Sequence, residues 1–381
     1  MAYSASANWR TAWSSSTLGS LPRLSSTTAG IRSATVCELV AAFHGEYPLT
    51  EGEVDVVWEL ARAQQGVTAC RAAAELAVSP GDPRPTRSRE RAWRALARMR
   101  EIHPRLARYR LRDACGLEPH PEAARVRRYL AAWDAAALLG GIDGARVLDV
   151  DLSATSTTVG PQDAGAPPAR FDVLIRSVVG GDRLAVGVGG HGEDRLIYTG
   201  PGFGPEEGPT DAVNSGANSG ANSGADVGTG DGAAERRTVH LAVDVWTAPG
   251  LPVCAPLAGT VVVARDNAAR LDYGPVVVPE HLTDEGVPFL TLNGHLSTRT
   301  LDHTCVGSEL SAGDVVGWTG TPPTNGDWAP HVHVQVILDL LDLAQDYPGV
   351  CLLSQRSTWL GLSPDPAPLL RLTPRGRPAR G

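Results

Sequence analysis

The sequence contains no lysine, and all 34 of its basic residues are arginine. Enzymes that use pyridoxal phosphate hold it on a lysine, so this class of enzyme is excluded. Acidic residues outnumber the basic ones, and the formal net charge is -8 at pH 7. Such a chain lacks the excess positive charge that attracts nucleic acid or an anionic membrane surface. We therefore predict that neither is a partner.

The sequence also lacks a long apolar run and any close pair of cysteines. No run approaches the ~18–20 residues that cross a bilayer, so we predict no membrane span. The six cysteines form no C-x-x-C pair, which argues against a zinc finger or a dithiol redox site. Unpaired thiols suit a reducing compartment, and the N-terminus has no apolar export signal. These absences predict a cytoplasmic location.

Two segments contain too little apolar surface to offset the entropy lost on ordering. Residues 1–33 contain no acidic residue and many serines and threonines, and we interpret them as a disordered tail. An organelle transit peptide and a different true start are the alternatives. Residues 203–236 are rich in Gly, Ala, Asn, Ser and Asp, and they repeat NSGA three times from Asn214. We interpret them as a flexible insertion.

The rest of the chain divides into a helical part and a β-rich part. Residues 34–140 are rich in Ala, Leu and Arg, with helical apolar spacing in VDVVWELARA (54–63) and RAWRALARMREI (91–102). Intervening prolines suggest four or five helices in a bundle, with Thr50 as an N-cap. From residue 141 onward short β-type runs lie between Gly and Pro, so the predicted class is α+β with several domains.

The β-rich part has three predicted sections. In residues 141–202 the strands are VLDVDL (147–152), FDVLIRSVV (171–179), LAVGVG (184–189) and RLIY (195–198). In residues 237–345 we predict strands near 252–264, 275–281, 288–296, 314–318 and 331–338. Residues 346–381 are rich in Pro and Arg, and we expect the last twenty to be a loosely held tail.

The segment HVHVQV at residues 331–336 carries the first candidate site residues. Alternate side chains of a strand share a face, so His331 and His333 point one way and the valines point the other. Valines packed in a core would fix this register, because a slip of one residue would exchange the two faces. The two imidazoles then lie on one face, about 7 Å apart at Cα. One can bind a metal while the other reaches water or substrate.

A second imidazole and a carboxylate occur in HLAVD, where His240 and Asp244 are four residues apart and share a face. Two histidines and one carboxylate form a ligand set of catalytic zinc, with a fourth position left open. His295 follows a predicted strand and is a candidate general base or oxyanion-stabilising group. Six of the ten histidines lie between His240 and His333, and this concentration predicts a metal site. Isolated histidines, which we interpret as structural, are His191, His281 and His303.

Five segments, in this order, resemble the motifs of the lysostaphin-type zinc metalloendopeptidases. They read HLAVD (240–244), PVCAPLAGTV (252–261), NGHLS (293–297), AGDVVGWTG (312–320) and PHVHVQV (330–336). The resemblance implies a mostly antiparallel β fold with its site in an open groove. By the same resemblance His240, Asp244 and His333 are Zn2+ ligands, and His295 and His331 are the catalytic histidines. It implies cleavage of amide bonds in a peptide or peptidoglycan-like substrate.

Two positions depart from this family's pattern. Ala242 replaces a glycine, and Asn293 replaces a tyrosine that is near the reacting carbonyl in the family. The alternative to an enzyme is therefore a catalytically weakened zinc-binding or scaffold module, left from a larger fusion enzyme.

The helical part carries a second resemblance. The segments FHGEYPLTEGEVDVVWELARAQ (43–64) and RLRDACGLEPHP (110–121) resemble the C-terminal part of aminoglycoside-phosphotransferase or homoserine-kinase-like proteins. They are similar in particular to fusions of such a kinase with a lysostaphin-type domain and a class III aminotransferase. Residues 34–140 contain no H-x-D-x-x-x-x-N catalytic loop, and the chain has no lysine. We predict neither kinase nor aminotransferase activity, and we predict no particular oligomeric state.

Overall fold

The computed structural model describes residues 33–133, 136–140, 146–157, 159, 163, 168–179, 185–198, 203 and 235–370. The interpretations of residues 1–33 as a tail and of residues 203–236 as an insertion fall almost wholly outside these ranges. Contacts divide the chain into two compact units. One comprises Met1–Tyr47 with Glu59–Arg100, and the other comprises Pro48–Trp58 with Glu101–Gly381. The domain boundaries of the sequence analysis stay predictions.

Helices form most of the chain up to residue 132, as the sequence predicts. They are α1 (Ser33–Glu46), α2 (Glu51–Val78), α3 (Pro83–Arg100), α4 (Pro104–Ala114) and α5 (Ala123–Ala132). The predicted N-cap of α2 is present, because Thr50 Oγ1 accepts from the Glu53 backbone amide while Glu53 Oε2 accepts from that of Thr50. In the described residues no helix is both long enough and apolar enough to cross a bilayer. The kinase-like origin of these helices stays a prediction.

The larger unit contains an eight-stranded sheet in the order β1-β2-β4-β11-β8-β7-β6-β9, with two small sheets, β10-β5 and β12-β3. The first pair, β1 with β2, is parallel, and the other paired strands are antiparallel. The mostly antiparallel fold is therefore confirmed. The strands are β1 (Arg146–Asp149), β2 (Ala185–Gly189), β3 (Arg237–His240), β4 (Val243–Trp246), β5 (Pro252–Cys254), β6 (Gly259–Asn267), β7 (Gly274–Leu282), β8 (Pro288–Gly294), β9 (Glu309–Leu310), β10 (Val315–Trp318), β11 (His331–Ile337) and β12 (Val350–Leu352). The helices among them are α6 (Pro168–Val179), α7 (Thr300–His303), α8 (Arg356–Leu362) and α9 (Ala367–Leu370).

Strand β11 has the register that its valines predict. Val332 and Val334 lie opposite Val245 and Val243 of β4, and all four belong to one buried apolar cluster. Residues directly opposite each other share a face of the sheet. The histidines of β11 therefore project from the other face, and the valine core holds them there because a slip of one residue would bring them into it.

The structure corrects two predicted strands. Residues 171–179, predicted as a strand, belong to helix α6, in which Phe171, Ile175 and Val179 are buried at four-residue spacing while Val173 is 66% exposed. The buried residues recur with the period of a helix and not with that of a strand. A short apolar run is compatible with either structure, and here packing against neighbouring apolar side chains selects the helix. Residues 195–198 form no strand, and Arg195 makes only an isolated bridge with Ser153.

The expected loose C-terminal tail is also corrected in its described part. Leu362 and Ser363 are fully buried, and Leu369 and Leu370 of α9 are at most 2% exposed. Leu370 belongs to the same apolar cluster as the valines of β11, so apolar burial holds this segment against the sheet. Residues from 371 onward lie outside the described part of the chain.

Burial at the end of β11 gives the first testable expectation. Ile337 is fully buried in an apolar cluster, so replacing it by alanine should lower the free energy of unfolding by about 2–5 kcal/mol. The control is Val306→Ala, because Val306 is 62% exposed and its truncation should cost little. Urea unfolding followed by near-ultraviolet circular dichroism measures both variants. Equal midpoints for the two would contradict the packing described here.

Candidate active site

Sheet pairing brings the three predicted ligands together. Strands β4 and β11 are neighbours, and their register sets Asp244 directly opposite His333. His240 is the last residue of β3, and Leu241 and Ala242 link it to β4. In the described part of the chain, these three are the one group of His, Cys, Asp or Glu whose candidate donor atoms all lie within 4.8 Å of one another.

The distances within this group fit one small cation. His240 Nε2 is 3.2 Å from His333 Nδ1, and each nitrogen is close to Asp244 Oδ1, at 3.3 and 3.2 Å respectively. Two donors bound at about 2.0–2.1 Å to a tetrahedral ion are separated by about 3.3–3.4 Å. The three edges of the triangle are therefore close to those of a tetrahedral metal site, and such a site has room for a fourth ligand.

The hydrogen bonds around the group leave no proton between its members. His240 Nδ1 lies 3.3 Å from the Gly190 carbonyl oxygen, which only accepts, so this nitrogen carries the proton and Nε2 does not. Gln335 Nε2 donates to the Pro348 carbonyl, so Gln335 Oε1 faces His333 Nε2 at 3.2 Å and accepts its proton. His333 Nδ1 is then also a lone pair. Three lone pairs thus converge at contact distance, which is unfavourable unless a cation lies between them.

Burial and charge hold His240 and Asp244 in their metal-binding protonation states. Burial, followed by the positive charge of Arg195, lowers the pKa of His240 to about 3. Burial alone would raise the pKa of Asp244, but His240, Arg195 and His331 lower it well below the ordinary value. A neutral imidazole and an ionised carboxylate are the forms that bind a metal ion.

The two other predicted histidines lie beside this group. The ring centroids of His295 and His331 are 4.3 Å apart, and His331 Nε2 is 3.7 Å from Asp244 Oδ1. His331 Nδ1 donates to the Ala329 carbonyl at 2.6 Å, and His295 Nδ1 donates to that of Asn325 at 2.9 Å. Each ring therefore keeps an unprotonated Nε2 that can accept a proton. Burial lowers the pKa of both histidines, so both are neutral near pH 7.

His295 has an unusual backbone conformation. Its φ is +60°, in the left-handed region that a residue with a Cβ rarely occupies. Two backbone hydrogen bonds hold it there, since its amide donates to the Tyr273 carbonyl at 2.8 Å and its carbonyl accepts from Gly320 at 2.9 Å. Strain of this kind is common at functional sites. It turns the His295 side chain towards His331 at the point where β8 has ended.

Two cavities border the site. One of about 30 Å3 is lined by Asp244, His295, His331 and His333, together with Tyr198. A water molecule needs roughly 10–15 Å3 of such volume, so one or two water-sized groups fit beside the converging donors. The other, of about 90 Å3, is lined among others by His240 and His333, two of the three converging side chains.

Among the described residues, no open groove of the kind that the resemblance implies exposes the site. The five site side chains are between 1% and 6% exposed. Aromatic residues that the sequence analysis did not single out lie against them: Trp246 stacks on His331 at 4.8 Å and 10°, and Trp328 and Tyr198 line both cavities. Tyr198 precedes the motif-bearing region by forty residues and belongs to no motif, so sequence patterns gave no signal for it.

A buried arginine is the other residue that the sequence analysis missed. Arg195 Nη1 donates to Asp244 Oδ2 at 2.6 Å and to the Tyr198 hydroxyl at 3.0 Å. It lies in RLIY, which the sequence analysis interpreted as a plain strand. The local sequence GEDRLIY gave no signal that this arginine is buried.

Of the two positions that depart from the family pattern, Asn293 lies on the face away from the converging donors. Asn293 pairs with Val334 and Val277, and its Nδ2 donates to the Val277 carbonyl at 3.4 Å. Paired residues share a face, so Asn293 points to the valine side of the sheet and not towards the histidines. Whether the change from tyrosine alters catalysis stays a prediction. Ala242 is fully buried in the link between β3 and β4.

The histidines interpreted as structural have backbone partners outside this group. His281 Nδ1 donates to the Ala258 carbonyl at 2.8 Å, and its Nε2 bonds Thr291 Oγ1 at 2.9 Å. His303 bonds the carbonyl of Val315, and His191 bonds that of Ser363.

Solved structures resemble part of the chain. The catalytic domain of the antimicrobial peptidase lysostaphin from Staphylococcus simulans is 26% identical, with 35% of this chain and 80% of that chain covered and a TM-score of 0.24. A zinc-containing peptidase from Vibrio cholerae is 25% identical, with 26% and 27% covered and a TM-score of 0.22. A Pseudomonas aeruginosa protein named for peptidase M23 is 22% identical, with 35% and 44% covered and a TM-score of 0.23. The chain thus spans less than half of the latter two proteins.

No curated protein matches the sequence. Within the chain, residues 238–342 match the model of Peptidase family M23. This range contains the three converging side chains and the two adjoining histidines, and it excludes Arg195 and Tyr198.

Proposed function

We propose that the chain is a zinc-dependent hydrolase of the metalloendopeptidase kind, which cleaves peptide bonds with an activated water. One observation carries the proposal: three unprotonated donors converge within 3.3 Å, and two neutral imidazoles lie beside them. The family match over residues 238–342 supports the same reaction. A substrate of peptide or peptidoglycan-like chemistry, and the predicted cytoplasmic location, belong to this proposal.

The donor set fits zinc. Two imidazole nitrogens and one carboxylate oxygen are borderline ligands that zinc accepts, whereas magnesium and calcium prefer oxygen alone. Three protein ligands with a neighbouring cavity are typical of catalytic zinc, because a structural zinc site has four protein ligands. When bound, zinc supplies a Lewis acid that polarises a carbonyl and makes water nucleophilic near neutral pH.

The chain's own residues supply the proton transfers. His331 Nε2 faces the donor group with its lone pair, so His331 is suited to accept a proton from the attacking water and to pass it to the leaving amine nitrogen when the C–N bond breaks. His295 Nε2 is unprotonated for the same reason, and its ring lies 4.3 Å from that of His331, so it is suited to assist the same proton transfer. The Tyr198 hydroxyl accepts from Arg195, which leaves its own proton to donate to the substrate carbonyl oxygen.

Metal content and hydrolysis test the proposal together. The full-length protein, purified without chelator, should contain one zinc per chain by mass spectrometry of the metal. It should cleave members of a peptide library that includes glycine-rich and cell-wall cross-link sequences. Treatment with a chelator should remove both properties, and added zinc should restore both. A protein that takes up no zinc at any concentration short of precipitation would rule the proposal out.

A second candidate function is a zinc-binding module without turnover. The burial of all five site side chains and the small size of the adjoining cavities favour this reading. The same experiment separates the two candidates, because a module would contain one zinc per chain and cleave no peptide in the library.

A further inference from the structure

The segment 190–198 precedes the family match and contacts two of the three proposed ligands. Within it, Arg195 is 1% exposed, and its Nη1 donates to Asp244 Oδ2 at 2.6 Å. The Gly190 carbonyl accepts from His240 Nδ1 at 3.3 Å, and the Glu193 carbonyl accepts from the His240 amide at 2.8 Å. One short stretch of chain therefore holds both a carboxylate and an imidazole of the converging group.

A buried guanidinium is costly unless its charge and its donors are paired. The Arg195 guanidinium is paired with two carboxylates. Its Nη1 donates to Asp244 Oδ2, and its Nε donates to Glu193 Oε2 at 3.1 Å. The Glu193 side chain is fully buried, and Arg195 Nη2 reaches the Gly190 carbonyl at 3.4 Å. Glu193 and Arg195 together carry no net charge. The pair can therefore orient Asp244 without changing the total charge of the site.

The hydrogen bond determines which oxygen of Asp244 faces the histidines. Because Arg195 occupies Oδ2, only Oδ1 lies towards His240 and His333, at 3.3 and 3.2 Å. Without this bond the carboxylate could rotate and present both oxygens to one cation. The planar fork of arginine suits this task, since it donates in fixed directions to two carboxylates at once.

We propose that Arg195, oriented by Glu193, is a positioning residue that fixes Asp244 as a one-oxygen zinc ligand. The inference rests on the proposed function for the identity of the metal. It assigns to the segment 190–198, which lies outside the matched region, the task of completing the metal site. A purely structural role for Arg195 is the competing explanation, since its guanidinium also lies 6.0 Å from the Trp246 ring.

The test measures metal binding and not hydrolysis. Removing Arg195 alone would also remove a positive charge, which by itself strengthens cation binding, so the decisive variant is Glu193→Gln with Arg195→Met in one chain. This double change leaves the net charge unaltered. We expect its zinc dissociation constant, from competition with a chromogenic chelator, to rise about 10–100-fold. The visible spectrum of the cobalt-substituted protein should change towards higher coordination, as a carboxylate bound through both oxygens requires. The matched control is Asp172→Asn with Arg176→Met, which removes a surface ion pair of helix α6 without changing the net charge and should leave both readouts unchanged.

The outcomes distinguish a positioning role of Arg195 from a purely structural one. A double variant with the wild-type zinc dissociation constant and cobalt spectrum, but a lower thermal midpoint, would assign Arg195 a structural role only. If the double variant does not fold, Arg195→Lys keeps the charge and loses the fork. A lysine variant indistinguishable from wild type in both readouts would equally overturn the proposal, whereas a weaker affinity with an altered spectrum would support it. A wild-type chain that binds no zinc overturns this inference and the proposed function together. A zinc-binding wild type with an unaffected variant overturns this inference alone.

Discussion

Replacing His333 by alanine is expected to abolish zinc retention during dialysis and, with it, peptide hydrolysis. His333 Nδ1 forms two edges of the donor triangle, at 3.2 Å to His240 and 3.2 Å to Asp244. Zinc binds structural four-ligand sites with about 10–16 kcal/mol, so one ligand contributes roughly 3–4 kcal/mol, or about 10²–10³-fold in affinity. Two remaining donors should not retain the ion at submicromolar free zinc. Metal analysis after dialysis against a zinc buffer, with rates on the best library peptide, measures both losses.

The control for this variant is His281→Ala. His281 is 2% exposed, close to the 4% of His333, and it also lies on a strand of the main sheet. Its partners are the Ala258 carbonyl and the Thr291 hydroxyl, so its loss should lower stability and leave the zinc content at one per chain. If the His333 variant kept one zinc with wild-type affinity, the convergence of lone pairs would not be the metal site.

The pairs His331/His333 and His240/Asp244 show what the sequence could predict. In β11 the alternation of histidine and valine determines both the face and the register, because only one face can enter the valine core. The four-residue spacing of His240 and Asp244 predicts that they share a face. It does not predict which strand pairs with theirs. That β4 pairs with β11 follows from a long-range contact, for which the family resemblance was the only sequence signal.

Arg195 and helix α6 show where the sequence was insufficient. The run FDVLIRSVV is compatible with a helix and with a strand. It forms a helix that buries Phe171, Ile175 and Val179, and this choice depends on the apolar side chains packed against it. Arg195 meets Asp244 across 49 positions of sequence, and no local pattern marks an arginine that is to be buried. Its burial depends on Glu193 and Asp244 being on either side, which is a property of the folded chain. The cover of the site by Tyr198 was unpredictable for the same reason.

Alanine at His295 or at His331 is expected to separate catalysis from metal binding. Neither histidine is part of the donor triangle, yet each keeps an unprotonated Nε2 beside it. Losing a positioned proton acceptor typically lowers kcat by about 10²–10⁴-fold. Zinc content should stay at one per chain in both variants. Residues that act as one unit are not additive, so the double variant should be little slower than the slower single variant. Val306→Ala, at an exposed position, is the control and should keep wild-type kcat.

The pH dependence of kcat/KM gives an independent check on these two histidines. Burial holds the pKa of His295 well below 6.5 and lowers that of His331, and a cation beside them would lower both further. A base must be unprotonated to act, and protonation of these rings begins only as the pH falls towards their lowered pKa values. The rate should therefore stay level from neutral pH down past 6.5 and fall below that. An acid limb centred at or above pH 6.5 would mean that another ionisation, of a solvated base or of the activated water itself, limits the rate, and the expected level rate would then be wrong. Loss of zinc on acidification gives a similar limb, so zinc content measured at each pH must stay at one per chain for the limb to report the histidines.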